Sequence, residues 1–492
     1  MWLQLCLVFA FALWLAHWCL WRGFLSKKRL PPSYYGFPLA GVLPFMFWKK
    51  DQLQMCQDIV DKRGPVFRVR MGLSDVVLVN GSTAVKEALR NDDLLGRPRL
   101  AFFELLRKIM HADPFVIMEG ESWKTIRNFS VHALKDLGFG KAPAMEGKVQ
   151  EEIAYLLDDL KRASSSPYDP RQSMLASVSN NIAILVFGDR LPYDHPRRKD
   201  LNRFLFGFIQ AASTFMVFNF APILLYVLNF IGIKAAKKFL AEAEVGKRVF
   251  VQETEQHLNN FDANDKRDFL DELIGKQKED PEIFTPQVVR GSCIVFFGAG
   301  SNTTRIGVEY LVQLSAAYPD LQEQMHQEIV RVVGDARLPC WADRENLHLV
   351  NAFIQERHRI FPIAPLGIFR RALRDTKVSG FDVQRGTVVI YNIESVHFDK
   401  TVFENPADFK PGRFLDAEGK FVASNNVIPF AIGKRACPGE VFATFEIFLY
   451  FSAILQRFRV EALSKSQEVK LTKASQFFSE PIPQPLRFIS RI

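Results

Sequence analysis

Apolar residues are distributed along this chain in three ways. The first is a continuous run from Met1 to Trp21, interrupted only by Gln4 and His17. Its length is close to the ~20 residues that a helix needs to cross a bilayer. No basic residue precedes it and no small-residue cleavage site follows, which argues for a retained anchor over a removed signal peptide. Arg22, Lys27, Lys28 and Arg29 come directly after it, and the positive-inside rule then holds the rest of the chain on the cytoplasmic side. Leu30-Pro31-Pro32-Ser33 and Pro38 make a stiff, extended spacer. The expected plan is an anchor over 1–21, a basic and proline-containing linker over 22–45, and one globule over 46–492. No repeat or low-complexity segment interrupts that globule.

A second apolar stretch runs from Phe204 to Ile233 and is broken by Pro222, with Gln210, Asn219 and Asn229 inside it. These polar residues argue against a second span and for two short helices whose connecting loop dips into a membrane surface. Elsewhere the pattern is amphipathic. Thr285-Pro286 predicts a helix start, an N-cap followed by proline at the first helical position. That helix should continue to Tyr318-Pro319, long enough to cross a whole domain. A second helix is expected over Phe442 to Phe458. Alternating strands are expected at Val66–Met71, Val76–Val79 and Val388–Tyr391. The polar tract from Asn260 to Asp280 reads as surface loop. The fold class is therefore mainly α with small β-sheets.

Composition narrows the function. Phe occurs 45 times against ten Tyr and seven Trp, which points to a large aromatic interior or an apolar pocket. The net charge of +9 is spread without any Lys/Arg tract, so nucleic acid is not an expected partner. Cys6, Cys19, Cys56, Cys293, Cys340 and Cys437 are widely separated, with no CxxC pair. This is neither a zinc pattern nor a secreted disulfide framework. N-x-S/T sequons at Asn80, Asn128 and Asn302 would be glycosylation sites only in a secreted chain. Asn128 and Asn302 fall in segments expected to be buried helices, which agrees with cytoplasmic topology.

One cysteine stands in a chemically pointed setting: Phe430-Ala-Ile-Gly433-Lys-Arg435-Ala-Cys437-Pro-Gly439-Glu440. Cys437 lies just before a helix, where unpaired N–H groups and the helix dipole favour a thiolate. Gly433 and Gly439 let backbone approach a flat ligand, and Arg435 offers a cation to a carboxylate. A thiolate, a cation and a close backbone together suit a haem with its propionates.

This segment resembles the cytochrome P450 haem-binding signature F-x-x-G-x-R-x-C-x-G and matches every fixed position. Three further motifs follow the family's order. Glu356-Arg357-His358-Arg359 resembles E-x-x-R, and Arg413 in Phe409-Lys-Pro-Gly-Arg413-Phe414 completes it; the resemblance implies a structural triad of Glu356, Arg359 and Arg413. Trp123-Lys-Thr-Ile-Arg127 matches W-x-x-x-R and implies contacts to a propionate, as does Arg370. Ala299-Gly300-Ser301-Asn302-Thr303-Thr304 resembles [AG]-G-x-[DE]-T-T. Ala299 and Gly300 would keep the long helix slim over the porphyrin, and Thr303 would hydrogen-bond the reacting oxygen. Asn302 departs from the pattern, since it stands where relatives carry an acid and an amide cannot relay a proton by ionising.

Segments such as Trp341-Ala-Asp-Arg344 and Arg371-Ala-Leu-Arg-Asp-Thr-Lys377 are similar to the animal microsomal branch. The resemblance covers nearly the whole chain and implies a cytochrome P450 fold, haem b with Cys437 as axial iron ligand, and oxygen insertion into an apolar steroid, fatty acid or xenobiotic. It also implies an endoplasmic-reticulum membrane location and electrons from NADPH-cytochrome P450 reductase, with Lys124, Lys135 and Lys434 near the docking face. Cytochrome b5 is a second expected partner. Phe115, Phe296, Phe297, Leu366 and Phe477 are pocket candidates. Asn302 also motivates an alternative, an isomerase or dehydratase that rearranges a lipid peroxide without a reductase. A further alternative is a haem-based sensor or lipid carrier without turnover.

Overall fold

The computed structural model describes residues 28–34, 36–37, 40–48, 52–72, 74–138, 142–163, 166–215, 219–220, 234–463, 469–471 and 478–491, together with four isolated positions before residue 20. The expected anchor over 1–21 and most of 216–233 lie outside the described residues, as does Phe477. Among the described residues, no helix is long and apolar enough to cross a membrane.

Helices dominate. Among the described residues these are first α1 (Leu43–Trp48), α2 (Gln52–Arg63), α3 (Ser82–Arg90), α4 (Ala101–Met110), α5 (Gly120–Asp136) and α6 (Ala142–Arg162). They are followed by α7 (Arg171–Phe187), α8 (Pro196–Phe215), α9 (Lys234–Asn259), α10 (Phe269–Glu279) and α11 (Pro286–Ala317). The last are α12 (Pro319–Val333), α13 (His348–Ile360), α14 (Ile393–His397) and α15 (Glu440–Arg457). α11 has 32 residues and is the axis of the molecule, packed against α7, α8, α9, α10, α13 and α15. Its start is as predicted: Pro286 opens the first turn and the Thr285 hydroxyl accepts from the Val288 amide at 3.3 Å.

Strands β1 (Ser33–Tyr34), β2 (Val66–Met71), β3 (Ser74–Val79), β4 (Arg370–Arg371) and β7 (Val388–Tyr391) form one sheet in the order β1-β2-β3-β7-β4. Short hairpins pair β5 (Thr376–Val378) with β6 (Phe381–Val383) and β8 (Phe458–Glu461) with β9 (Arg487–Ser490). β2 and β3 are rich in β-branched residues and are buried along nearly their whole length. The Arg370↔Val389 register places Arg370 at the sheet edge with its side chain inside.

Three expectations are corrected. The tract read as loop between Asn260 and Asp280 contains α10, whose apolar face (Phe269, Leu270, Leu273, Ile274) is buried. Asp268 caps it by accepting from the Asp271 amide at 2.9 Å; the Lys and Glu residues near its end masked that face. In the stretch beginning at Phe204, Phe204 and Phe220 are buried, and Phe206 and Phe208 pack against the main core, so this part meets protein. Of the sequons, Asn128 is exposed on α5, whereas Asn80 and Asn302 are buried.

Candidate haem-thiolate site

The loop that carries Cys437 is closed by its own backbone. The Cys437 amide donates to the Phe430 carbonyl at 2.9 Å and the Ala436 amide to the Gly433 carbonyl at 3.0 Å. Gly433 has φ 81°, and a Cβ there would stand 2.6 Å from the Leu89 carbonyl oxygen, so only glycine fits. Gly433→Ala is expected to cost roughly 1–3 kcal/mol in backbone strain alone, with the clash against Leu89 added. Thermal unfolding and the fraction of chain that retains cofactor would register the loss.

Cys437 precedes α15, and the amides of Gly439 and Glu440 hydrogen-bond its sulfur. Burial pushes the thiol up, and those amides together with Arg127 pull against it. The sulfur is surrounded by protein yet accessible, so it opens onto an interior space. A thiol raised by burial becomes a thiolate when a cationic centre coordinates it.

One helix, the sheet edge and the segment after Leu95 bring arginines to this loop. On α5, Arg127 donates to the Ala436 carbonyl at 2.8 Å. The buried Trp123 ring lies under the Arg435 guanidinium, 3.5 Å from it. Arg435 also donates to the carbonyls of Leu95 and Met118. Arg370 donates to Leu89. Arg97 reaches the carbonyls of Val116, Ile368 and Phe369. Burial, then Arg97, Arg370 and Arg127, disfavour the charge on Arg435, with Glu119 alone opposing.

Buried cations without counterions are costly. Here Nε and Nη2 of Arg370 and Nη1 of Arg435 have no hydrogen-bond partner among the described residues. An anionic ligand with two carboxylates answers this arrangement, and the residues therefore fit haem b. Cys437 would hold the iron, and Arg435, Arg370, Arg97 and the α5 pair Trp123 and Arg127 would hold the propionate side. The sequence reading missed Arg97; Gly96-Arg97-Pro98-Arg99, a turn signal that holds two cations, does not single it out.

α11 is buried on almost every side, yet Ala299 is exposed and Gly300 and Thr303 are partly so. Ala299 and Thr303 are one turn apart and share this face. The Thr303 hydroxyl donates to the Ala299 carbonyl at 2.8 Å, which leaves its oxygen lone pairs as acceptors. Asn302 is turned away and donates to the Leu205 carbonyl of α8. Phe296 packs against Phe115 and Phe269. Phe297, one residue on and so about 100° further round α11, packs into the core against Phe187 and Phe250. Leu366 is half-buried beside the sheet.

Glu356 on α13 is fully buried. It accepts from Arg359 at 2.7 and 2.8 Å, from Arg413 at 3.0 Å and from the Lys410 amide at 2.7 Å. The sequence did not point to Glu446, one polar residue within the apolar run of α15. Its carboxyl accepts from Asn181 at 2.8 Å, with Thr304 beside it, and burial pushes it up to about 8. The carboxyl is therefore protonated at neutral pH. Its contribution to stability is full below about 4.5 and is lost as pH rises through about 8. Glu446→Gln should flatten that decline in thermal-unfolding scans from acid to mildly alkaline pH.

The family model for Cytochrome P450 matches residues 31–488. This chain belongs to the cytochrome P450 family. It is 31% identical to cytochrome P450 2H2 of Gallus gallus over 478 residues, 96% of each chain. It is 31% identical to cytochrome P450 2C16 of Oryctolagus cuniculus, over 95% of this chain and 96% of the relative. Cytochrome P450 2E1 of Rattus norvegicus is 30% identical over 94% of both. The protein is a P450 monooxygenase, its cofactor is haem b, and its substrates are apolar.

Proposed function

We propose that this P450 inserts one oxygen atom from O₂ into a steroid, fatty acid or xenobiotic. Electrons come from NADPH through NADPH-cytochrome P450 reductase, with cytochrome b5 as a second donor. The observation that carries this reading is the pairing, in one chain, of a sulfur that is accessible although surrounded by protein with a long helix whose middle is bared at Ala299 and partly at Gly300 and Thr303. When bound, haem supplies oxygen activation and insertion. The chain's own residues do the rest: Ala299 and Gly300 leave room, Thr303 holds a hydrogen bond to the reacting oxygen, and the aromatic interior excludes water. Phe115, Phe296 and Leu366 line the substrate side. Residues 1–21 anchor the chain in the endoplasmic-reticulum membrane, with 22–45 as linker and the catalytic domain cytoplasmic. Lys124, Lys135 and Lys434 lie on the face offered to the reductase.

The test is reconstitution of the full chain with reductase, NADPH and isotopically labelled O₂ over a panel of apolar compounds. Product carrying one labelled oxygen supports the reading. Conversion of a lipid hydroperoxide without NADPH, and no labelled product, would establish the rearrangement that Asn302 suggests.

A further inference from the structure

Asn302 is fully buried, and its Nδ2 donates to the Leu205 carbonyl of α8 at 2.9 Å. A backbone carbonyl only accepts, so this contact requires an N–H and fixes the orientation of the amide. Oδ1 has no hydrogen-bond partner among the described residues. Almost one turn further along α11, the buried Arg305 guanidinium lies over the Phe206 ring, 5.2 Å from its centre. Arg305 is itself held by Glu309 on α11 and by Glu480 from the C-terminal segment. Two consecutive residues of α8 are thus gripped by two residues of α11 that flank Thr303 in sequence.

We propose that Asn302 is a positioning residue, whose amide clasps α8 to the turn of α11 that carries Thr303. A carboxylate at 302 would set its charge against the Leu205 carbonyl oxygen and release α8. An amide, or a carboxylic acid that keeps its proton, can donate. The position that departs from the family's acidic pattern is on this account a strap between two helices. The consequence for Thr303 rests on the oxygen-insertion reading; the strap itself does not.

Hydrogen exchange of the haem-loaded full chain tests it. Asn302→Leu keeps the size and removes the donor, and is expected to speed amide exchange in α8 by about tenfold, the worth of one buried hydrogen bond. Asn302→Asp should match the wild type at acid pH, where the acid can donate, and move toward Asn302→Leu as pH rises. Groups near the clasp that bear charge or titrate are Arg305 and Glu309 on α11, Glu480, Arg171 and Asp169 beside Glu309, Glu242 of α9 against Gly207 of α8, and Glu446 behind Thr304. Burial pushes Glu309 up to about 8, so the profile is taken as a difference from the wild type. Thr303→Ala should leave α8 exchange unchanged while impairing oxygen insertion. Wild-type exchange in Asn302→Leu, or a pH-independent Asn302→Asp, would overturn the clasp. If Asn302→Leu does not fold, the Asn302→Asp titration decides alone. Failure of oxygen insertion in every variant would refute the proposed function and leave the exchange result standing.

Discussion

Cys437→Ser is expected to abolish the far-red Soret band of the carbon monoxide complex of the reduced protein, and turnover with it. The substitution removes one sulfur atom and preserves the loop, because the amide of residue 437 still donates to Phe430 and Gly433 still allows the turn. A serine hydroxyl is a poor anion at neutral pH, and the Gly439 and Glu440 amides that now serve the sulfur cannot make it a thiolate equivalent. The arginine cluster is untouched, so a cofactor could still dock through its carboxylates. The decisive measurement is the difference spectrum of wild type beside variant at equal haem content. An unchanged band in Cys437→Ser would remove Cys437 from the iron and overturn the site.

Glu356→Ala is expected to prevent accumulation of folded protein. Glu356 and Arg359 have fully buried side chains, and the side chain of Arg413 is 11% exposed. Removing the carboxylate strands both guanidinia, and breaking a buried pair in this way costs about 3–5 kcal/mol. The whole stability of a folded protein is only about 5–15 kcal/mol. Arg359 also holds the carbonyls of His397, Pro406 and Asp408, so its displacement loosens the segment that leads toward the Cys437 loop. Arg413→Lys keeps a charge at the partly exposed arm and should be milder, visible as a lowered melting temperature with haem retained. Equal haem content and equal melting temperature in Glu356→Ala and wild type would show that the triad is dispensable.

What could be read from the chain alone follows how local each feature is. Cys437, Gly433 and Arg435 belong to one loop, so their spacing already carries their geometry, and Glu356 with Arg359 is one turn of one helix. Thr285-Pro286 announced α11 because a cap is a property of four residues. Most of the misses are cases in which distant segments decide. Arg97 gains meaning only when Arg370, 273 positions later in chain numbering, comes back to the same place at the sheet edge. Glu446 is one polar residue in an apolar run until Asn181 from α7 meets it. Asn302 could be seen as an oddity, but that it faces α8 is settled by the packing of two helices. α10 was hidden because its charged face dominates composition while four buried apolar residues form its helical stripe.

The gathering of Arg97, Arg127, Arg370 and Arg435 around one loop has a consequence for how the protein is made. Four like charges in a desolvated space oppose the final closure of α5, the sheet edge and the Cys437 loop. An anionic cofactor that arrives during folding turns this opposition into attraction. Ligand bound by the native state alone stabilises it in proportion to the logarithm of free ligand over its dissociation constant. The amount of this enzyme in a cell is therefore tied to haem supply, and chain made faster than haem can be delivered is exposed to quality control while its arginines still repel one another.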